Sequence, residues 1–298
     1  MYSVAMEKYS KTPSEHKTVC QVAEWIECHL HQPISVSQLT HLAGCSSRHL
    51  RGLFKQAFGV SIRTYIQKRR LTLASSMLRE TSRTLTEVAM MYQFSHLSSF
   101  SRAFKNQFGQ CPHEYQQSSQ WDMRLFYPSA VVDAFSTRTD IVSIPENTGI
   151  AAVSKIKKTL HFGFDFYLTT ENGQIVSRRD FYNQLISLIF REKQRYPLTV
   201  GGETLPGKEC DTHINIFLGN LIFDATPEKC IIIPSGDYAC FSVTESPLNI
   251  MRFHAWVKGH GMHESGLIMK KGMTFSIFNE TSVSGKYKTK YYIPCVIP

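Results

Sequence analysis

FKQAFG, at Phe54 to Gly59, and FKNQFG, at Phe104 to Gly109, match at four of six positions and lie 50 residues apart in a chain of 298. What precedes each word also recurs. Ahead of the first, Ser35 followed by Gln38 forms a capping-box pattern that opens a short helix through Leu39, Leu42 and Ala43. Gly44 then supplies a sharp turn, and Ser46 caps a further helix, SSRHLRGLFKQAF, which Gly59 ends. Ahead of the second word, Thr84 and Glu87 repeat the box, Val88 and Met91 repeat the apolar pair, and Phe94 with Ser95 leads into SHLSSFSRAFKNQF. Caps, turns and core positions return in one order, so a single unit has been used twice. Each copy has a helix-turn-helix outline.

Between the copies, Ile62 to Glu80 reads as one long helix, basic through Arg63, Lys68, Arg69 and Arg70. Upstream, Val19, Val22, Ala23, Ile26 and Leu30 make one face of a first helix that Pro33 closes. Residues 14–120 are thus expected to be an all-α domain with two helix-turn-helix units. The 19 residues of the connecting helix extend about 28 Å, enough to hold two reading heads in successive grooves of a duplex, roughly 34 Å apart.

Charge agrees with a polyanionic partner. The formal net charge is +9, and residues 1–125 hold 15 Lys or Arg against 8 Asp or Glu, whereas the remainder holds 18 against 16. A basic first half joined to a nearly neutral second half suggests a module for double-stranded DNA followed by one with another task. With Leu50, Leu53 and Phe54 turned to the core, the first recognition helix presents Ser47, Arg48, Arg51 and Lys55. The second presents Leu97, Ser98, Ser101, Arg102 and Lys105. Ser47, Arg48, Arg51, Leu97, Ser98, Ser101 and Arg102 are the expected base contacts: guanidinium pairs bidentately with guanine, and an outward Leu97 packs on a thymine methyl. Ser46, Lys55, Ser95 and Lys105 are the expected phosphate contacts.

The second half changes character. IVSIPENTGIAAVSKIK reads as strand, turn, strand; Phe181 to Phe190 as a helix; LTVGG and HINIFLG as strands. CIIIPSGDYACFSVTES repeats the first word, Pro247 to Lys258 repeats the helix, and MTFSIFNE and YKTKYYIPCVIP finish the run. Ile144-Pro145 and Ile233-Pro234 take equivalent places, which points to a duplicated β-α-β-β unit over residues 140–298, with two helices on one face of a sheet and the other face open to a ligand. Residues 121–139 would link the halves.

Eight scattered cysteines without a C-x-x-C pair, and 12 histidines without an H-E-x-x-H, give no zinc spacing and no disulfide framework. No metal, cofactor or catalytic residue is expected. No apolar run approaches a membrane span and no leader pattern opens the chain, so a cytoplasmic protein is expected.

The motif YQFSHLSSFSRAFKNQFGQCPHEY, with Phe94, Phe100, Arg102, Phe104, Lys105, Phe108, Gly109, Pro112 and Tyr115, resembles the signature of the AraC/XylS family. That resemblance covers residues 14–117 and implies a bacterial, sequence-specific transcription regulator, commonly an activator that contacts RNA polymerase. It implies a homeodomain-like fold for each unit. The stress-response branch of the family reads DNA with a Trp and an Arg at the positions of Arg48 and Gly52, and with a Gln pair at those of Leu97 and Ser98. Promoter preference therefore does not carry over.

Residues 140–298, through IPSGDYACFSV, resemble the GyrI-like effector-binding domain, and the whole chain has the layout of Rob-like regulators. The expected architecture is thus multidomain: an all-α tandem helix-turn-helix domain followed by an α+β GyrI-like domain. Many such domains hold amphiphiles in an aromatic cleft with a buried Glu; here Lys290 stands in that place. A buried ammonium there would favour an anionic or neutral amphiphilic ligand. Phe164, Tyr167, Tyr238, Trp256, Lys290 and Tyr292 are the expected effector-binding residues. The same aromatics also read as sheet packing, with Lys290 in solvent on an edge strand. A ligand-free interaction module and a small-molecule hydrolase are the competing readings of this half, the latter disfavoured by the missing Glu.

Overall fold

A computed structural model describes residues 13–131, 135–162, 168–169, 175–176, 178–190, 196–207 and 212–298. The chain divides into two compact units: residues 1–78, 83–116 and 125–134 form the first, and residues 79–82, 117–124 and 135–298 the second.

The first unit is helical. Its elements are α1 (Pro13–Cys28), α2 (Val36–Ala43), α3 (Ser47–Phe58), α4 (Ile62–Glu80), α5 (Leu85–Met91), α6 (Leu97–Phe108) and α7 (Pro112–Gln117), with the last residues of α4 counted in the second unit. The expected caps form. Ser35 Oγ accepts from Gln38 N and Gln38 Oε1 from Ser35 N; Thr84 and Glu87 make the same reciprocal pair. Gly44, Gly59 and Gly109 take the left-handed conformation at helix ends, where a Cβ would be strained. At the place of Gly44 the second copy has Gln93, also left-handed at φ 64°, its side-chain amide donating to His31 O at 2.8 Å. A residue with a costly backbone is thus pinned from the neighbouring segment.

Each copy is packed around the same aromatic triad. Phe54 and Phe58 lie 4.5 Å apart with Tyr65 edge-on to Phe54 at 5.4 Å; Phe104 and Phe108 lie 4.5 Å apart with Tyr115 edge-on to Phe104 at 5.1 Å. Phe54, Tyr65, Phe104 and Tyr115 are essentially sealed from solvent. Edge-to-face pairs of this kind add about 0.5–1.5 kcal/mol each beyond the area they bury.

The connecting helix is less basic on its surface than its sequence suggests. Arg69 is buried and paired with Glu27 of α1, and Arg70 donates to the carbonyls of Leu30 and Gln32. Of the four expected cations only Arg63 is exposed, Lys68 and Arg70 being half-buried, and the Lys68 ammonium lies 4.9 Å from the centre of the Tyr127 ring.

The second unit is built on a curled antiparallel sheet. Its strands are β1 (Gln120–Asp122), β2 (Thr139–Ile144), β3 (Gly149–Phe162), β4 (Leu168–Thr169), β5 (Ile175–Val176), β6 (Leu198–Pro206), β7 (Thr212–Ile222), β8 (Ile231–Ile232), β9 (Gly236–Glu245), β10 (Ile268–Lys270), β11 (Thr274–Glu280) and β12 (Tyr287–Val296). Among the described residues two longer helices join them, α8 (Arg178–Ile189) and α9 (Pro247–Trp256), the latter continuing into a π-helical turn, Val257–Gly261, and a short turn of helix, Met262–Glu264. The order β3, α8, β6, β7 recurs as β9, α9, β11, β12. In each set the first two strands flank the last, and β6 meets β11 between the sets. The leading strands are exchanged: β2 pairs with β9, and β8 with β3. The stretch expected to be a linker is structured in part, since β1 pairs with β10 and Trp121 and Met123 are buried.

Two cores cover the two faces of this sheet. On the helix side, Leu185 and Ile189 of α8 and Ile250 of α9 pack on Leu198, Ile216, Leu218 and Phe278. On the other side, Ile144, Ile150, Ile233, Tyr238, Cys240, Met273, Phe275 and Tyr292 form a second cluster inside the curl.

Candidate nucleic-acid interface

Helix α3 is amphipathic because Leu50 and Phe54, one turn apart, are fully buried. That fixes what its other face shows: Arg48, Arg51 and Lys55 are exposed and Ser47 is half-buried. Ser46 Oγ accepts from His49 N at 3.3 Å, so this hydroxyl serves the cap. In α6, Phe100, Phe104 and Phe108 are buried, and Leu97, Ser98, Arg102 and Lys105 are exposed with Ser101 half-buried. The residue that caps α6 is His96, one position after Ser95, and its side chain makes no capping bond. Among the described residues Arg48, Arg51 and Arg102 enter no hydrogen bond or ion pair, so three guanidiniums stand free on two helices.

The two recognition helices border one cleft of about 920 Å³, whose walls include Arg51 of α3, Arg63 of α4 and Ser95, His96 and Ser99 around the start of α6. Arg51 and the beginning of α6 therefore open to the same space. Sequence reasoning missed this cleft; the free, exposed arginine at the start of α4 was the available signal.

Of the residues expected to bind an effector, Tyr238, Lys290 and Tyr292 share one face of the sheet and Trp256 does not. Pairing across the sheet puts Lys155, Phe217, Gly201, Phe275, Tyr292, Cys240 and Asp140 in one row on one face. Tyr238 shares that face, and Tyr292 stacks on Phe275 at 4.4 Å. Trp256 sits on the opposite face, beside Phe241 and Ile141, because it belongs to the helix-side segment and Phe241 alternates with Cys240. Lys290 is on the Tyr292 face, but it is exposed and lies on an interior strand between β11 and β9. The expected buried ammonium is corrected accordingly: its alkyl chain ends in solvent. Phe164 and Tyr167 lie outside the described residues.

His254 of α9 meets Ser276 Oγ at 3.0 Å and the Tyr291 ring at 4.2 Å. Burial, with a contribution from Lys258, pushes its pKa down to about 3, so it is neutral in the folded protein. Ser276 is buried, so this pair ties helix to sheet and offers no hydroxyl to a solvent-borne substrate. Among the described residues no cluster of His, Cys, Asp or Glu is arranged to hold a metal, and no helix is long and apolar enough to cross a membrane.

Two amphipathic helices, each on a capped helix-turn-helix scaffold and each presenting free basic side chains, define the class: a double helix-turn-helix DNA-binding protein. Comparison with known proteins agrees. A helix-turn-helix domain family model matches residues 39–118, which span α2 to α7. The chain is 34% identical over 145 residues to the putative HTH-type transcriptional regulator YkgA of Escherichia coli, an alignment covering 47% of this chain and 61% of that protein. It is 26% identical over 271 residues to the right origin-binding protein of E. coli, covering 83% and 85%. To the multiple antibiotic resistance protein MarA of E. coli it is 30% identical over 120 residues, 40% of this chain and 94% of that one. The chain belongs to the AraC/XylS family of helix-turn-helix transcription regulators.

Proposed function

We propose that this regulator reads an asymmetric DNA site as one chain, with α3 and α6 in successive major grooves on one face of the duplex. The observation that carries the reading is Arg51: free, exposed, and opening into the space that the start of α6 also borders. Arg48 and Arg51 pair with guanines, each pair worth about 1–3 kcal/mol of discrimination. Ser47 adds a hydroxyl contact beside them. On α6, Leu97 meets a thymine methyl while Ser98, Ser101 and Arg102 reach base edges. Lys55, Lys105 and the backbone at Ser46 and Ser95 fix the register through phosphates. The net effect is activation, through contact with RNA polymerase.

The test is to select bound fragments from genomic DNA with the full chain, then footprint Arg51→Ala and Arg102→Ala on the selected site. Loss of the footprint over one half of the site in each variant, with unchanged circular dichroism, is expected. Full protection by both variants overturns the docking.

For the second unit we propose a GyrI-like sensor whose ligand lies on the inner face of the curl, against Tyr238, Phe275 and Tyr292. The exposed ammonium groups of Lys155 and Lys290 on that face favour an anionic amphiphile over a cationic one. Cholate and dodecyltrimethylammonium, compared by thermal shift on the full chain, separate the possibilities. Stabilisation by cholate supports the reading, and stabilisation by the cation reverses the charge assignment. No shift with either favours an interaction module.

A further inference from the structure

The cleft between α3, α4 and the start of α6 is chemically one-sided. Three arginines and a histidine are among the residues that line it, and no carboxylate is. One of these, Arg70, is committed to the carbonyls of Leu30 and Gln32 and forms wall. Arg63 is different: it is exposed, and among the described residues nothing pairs with it. Gln67 follows Arg63 by four residues on the same helix face, and His96 and Ser99 line the cleft as well. The fixed charge therefore comes from two elements, α3 and α4, and the start of α6 adds polar groups, around a space that lies between two base-reading helices.

When two helices enter successive major grooves on one face of a duplex, the backbone between those grooves must cross the protein between them. A phosphodiester carries one negative charge and its free oxygens accept hydrogen bonds. Arg, Gln, His and Ser are the side chains that donate to such oxygens. We propose that this cleft seats the DNA backbone between the two half-sites, with Arg63 as its cationic anchor and Gln67, His96 and Ser99 as further hydrogen-bond donors. The inference rests on the reading of α3 and α6 as the base-contacting helices. It assigns Arg63 a role in affinity and register, and leaves sequence choice to Arg48, Arg51 and Arg102.

The test uses the full chain, a site selected from genomic DNA, and an unrelated duplex of the same length. Arg63→Ala is expected to weaken binding to both duplexes by the same factor, on the order of tenfold, as for a lost charged hydrogen bond. The slope of log affinity against log salt should fall by about 0.9, the value for one released counterion. Arg63→Lys should keep most of that slope. Neutral methylphosphonates placed between the half-sites should weaken the wild type and leave Arg63→Ala unaffected. Three results overturn the proposal: unchanged affinity and slope in Arg63→Ala, a loss confined to the selected site, or equal sensitivity of wild type and variant to the methylphosphonates. Arg102→Ala, measured alongside, separates the failures. If it abolishes site preference while Arg63→Ala does nothing, the backbone seat is wrong and the base-reading helices stand; if neither variant has an effect, the docking itself is wrong.

Discussion

Arg69 and Glu27, 42 residues apart in sequence, form a two-pronged ion pair in the interior of the first unit, with Nε to Oε1 at 2.8 Å and Nη2 to Oε2 at 2.9 Å. Tyr65 adds a hydroxyl donated to the same carboxylate at 2.7 Å, and Arg69 Nη1 donates to Tyr127 O. Burial opposes the guanidinium charge, but the Glu27 carboxylate outweighs it and holds the Arg69 pKa above its ordinary value. One carboxylate thereby fastens α1 to α4 and, through Arg69, to the segment after Phe126.

Removing one partner leaves a buried charge unmatched. Glu27→Gln is expected to destabilise the first unit by about 3–5 kcal/mol in urea unfolding, whereas the paired replacement Glu27→Leu with Arg69→Met recovers most of that loss. A double variant no more stable than the single one would contradict this account.

Gly52 occupies the middle of α3 on its exposed face, and a Cβ added there meets nothing within 4 Å. Its backbone is helical, so the cost is conformational entropy alone. Gly52→Ala should raise the melting temperature, by an amount equivalent to about 1 kcal/mol. A decrease would mean that α3 needs the flexibility.

Thr84 and Glu87 hold the start of α5 by three hydrogen bonds, and those bonds with Thr84 lower the Glu87 pKa. Thr84→Ala removes the hydroxyl bonds but keeps the backbone N–H bond to Glu87, so it should cost about 1 kcal/mol and let the Glu87 carboxyl return only part of the way toward its usual value, which NMR titration reads directly.

The second unit should weaken in mild acid. His254 titrates near 6.5 when unfolded and near 3 when folded, so below about pH 6.5 the unfolded chain takes up a proton that the fold refuses. Stability contributed by the neutral ring is complete above that pH and declines by about 1.4 kcal/mol per unit as pH falls toward 3. His254→Asn should flatten the profile of unfolding free energy against pH; an unchanged profile would place the sensitivity elsewhere.

How far sequence alone reached depended on whether a residue's role is local. Capping boxes and glycine turns act within four residues, so Ser35, Thr84, Gly44 and Gly109 could be read directly. The exposed faces of α3 and α6 followed from the spacing of their phenylalanines. Arg69 could not be read, because a charged side chain looks solvated until its partner, on another helix, is known. Gln93 in a left-handed turn has no signature beyond its alignment with Gly44. In the second unit, the recurrence of the Ile-Pro pairs at Ile144-Pro145 and Ile233-Pro234 exposed the doubled strand order. The face that each aromatic takes is set by pairing with distant strands, which is why Trp256 and Tyr292 appeared to belong together.

The crossed leading strands have a practical result. Because β2 is held by β9 and β8 by β3, a chain cut after Ile222 would strand β2 without its hydrogen-bonded neighbour and strip β3 of its cover at Gly149 and Ile150. Neither repeat is a self-sufficient piece: a nascent chain completes the first only after the second has been synthesised. Proteolytic nicking between them is expected to loosen both together.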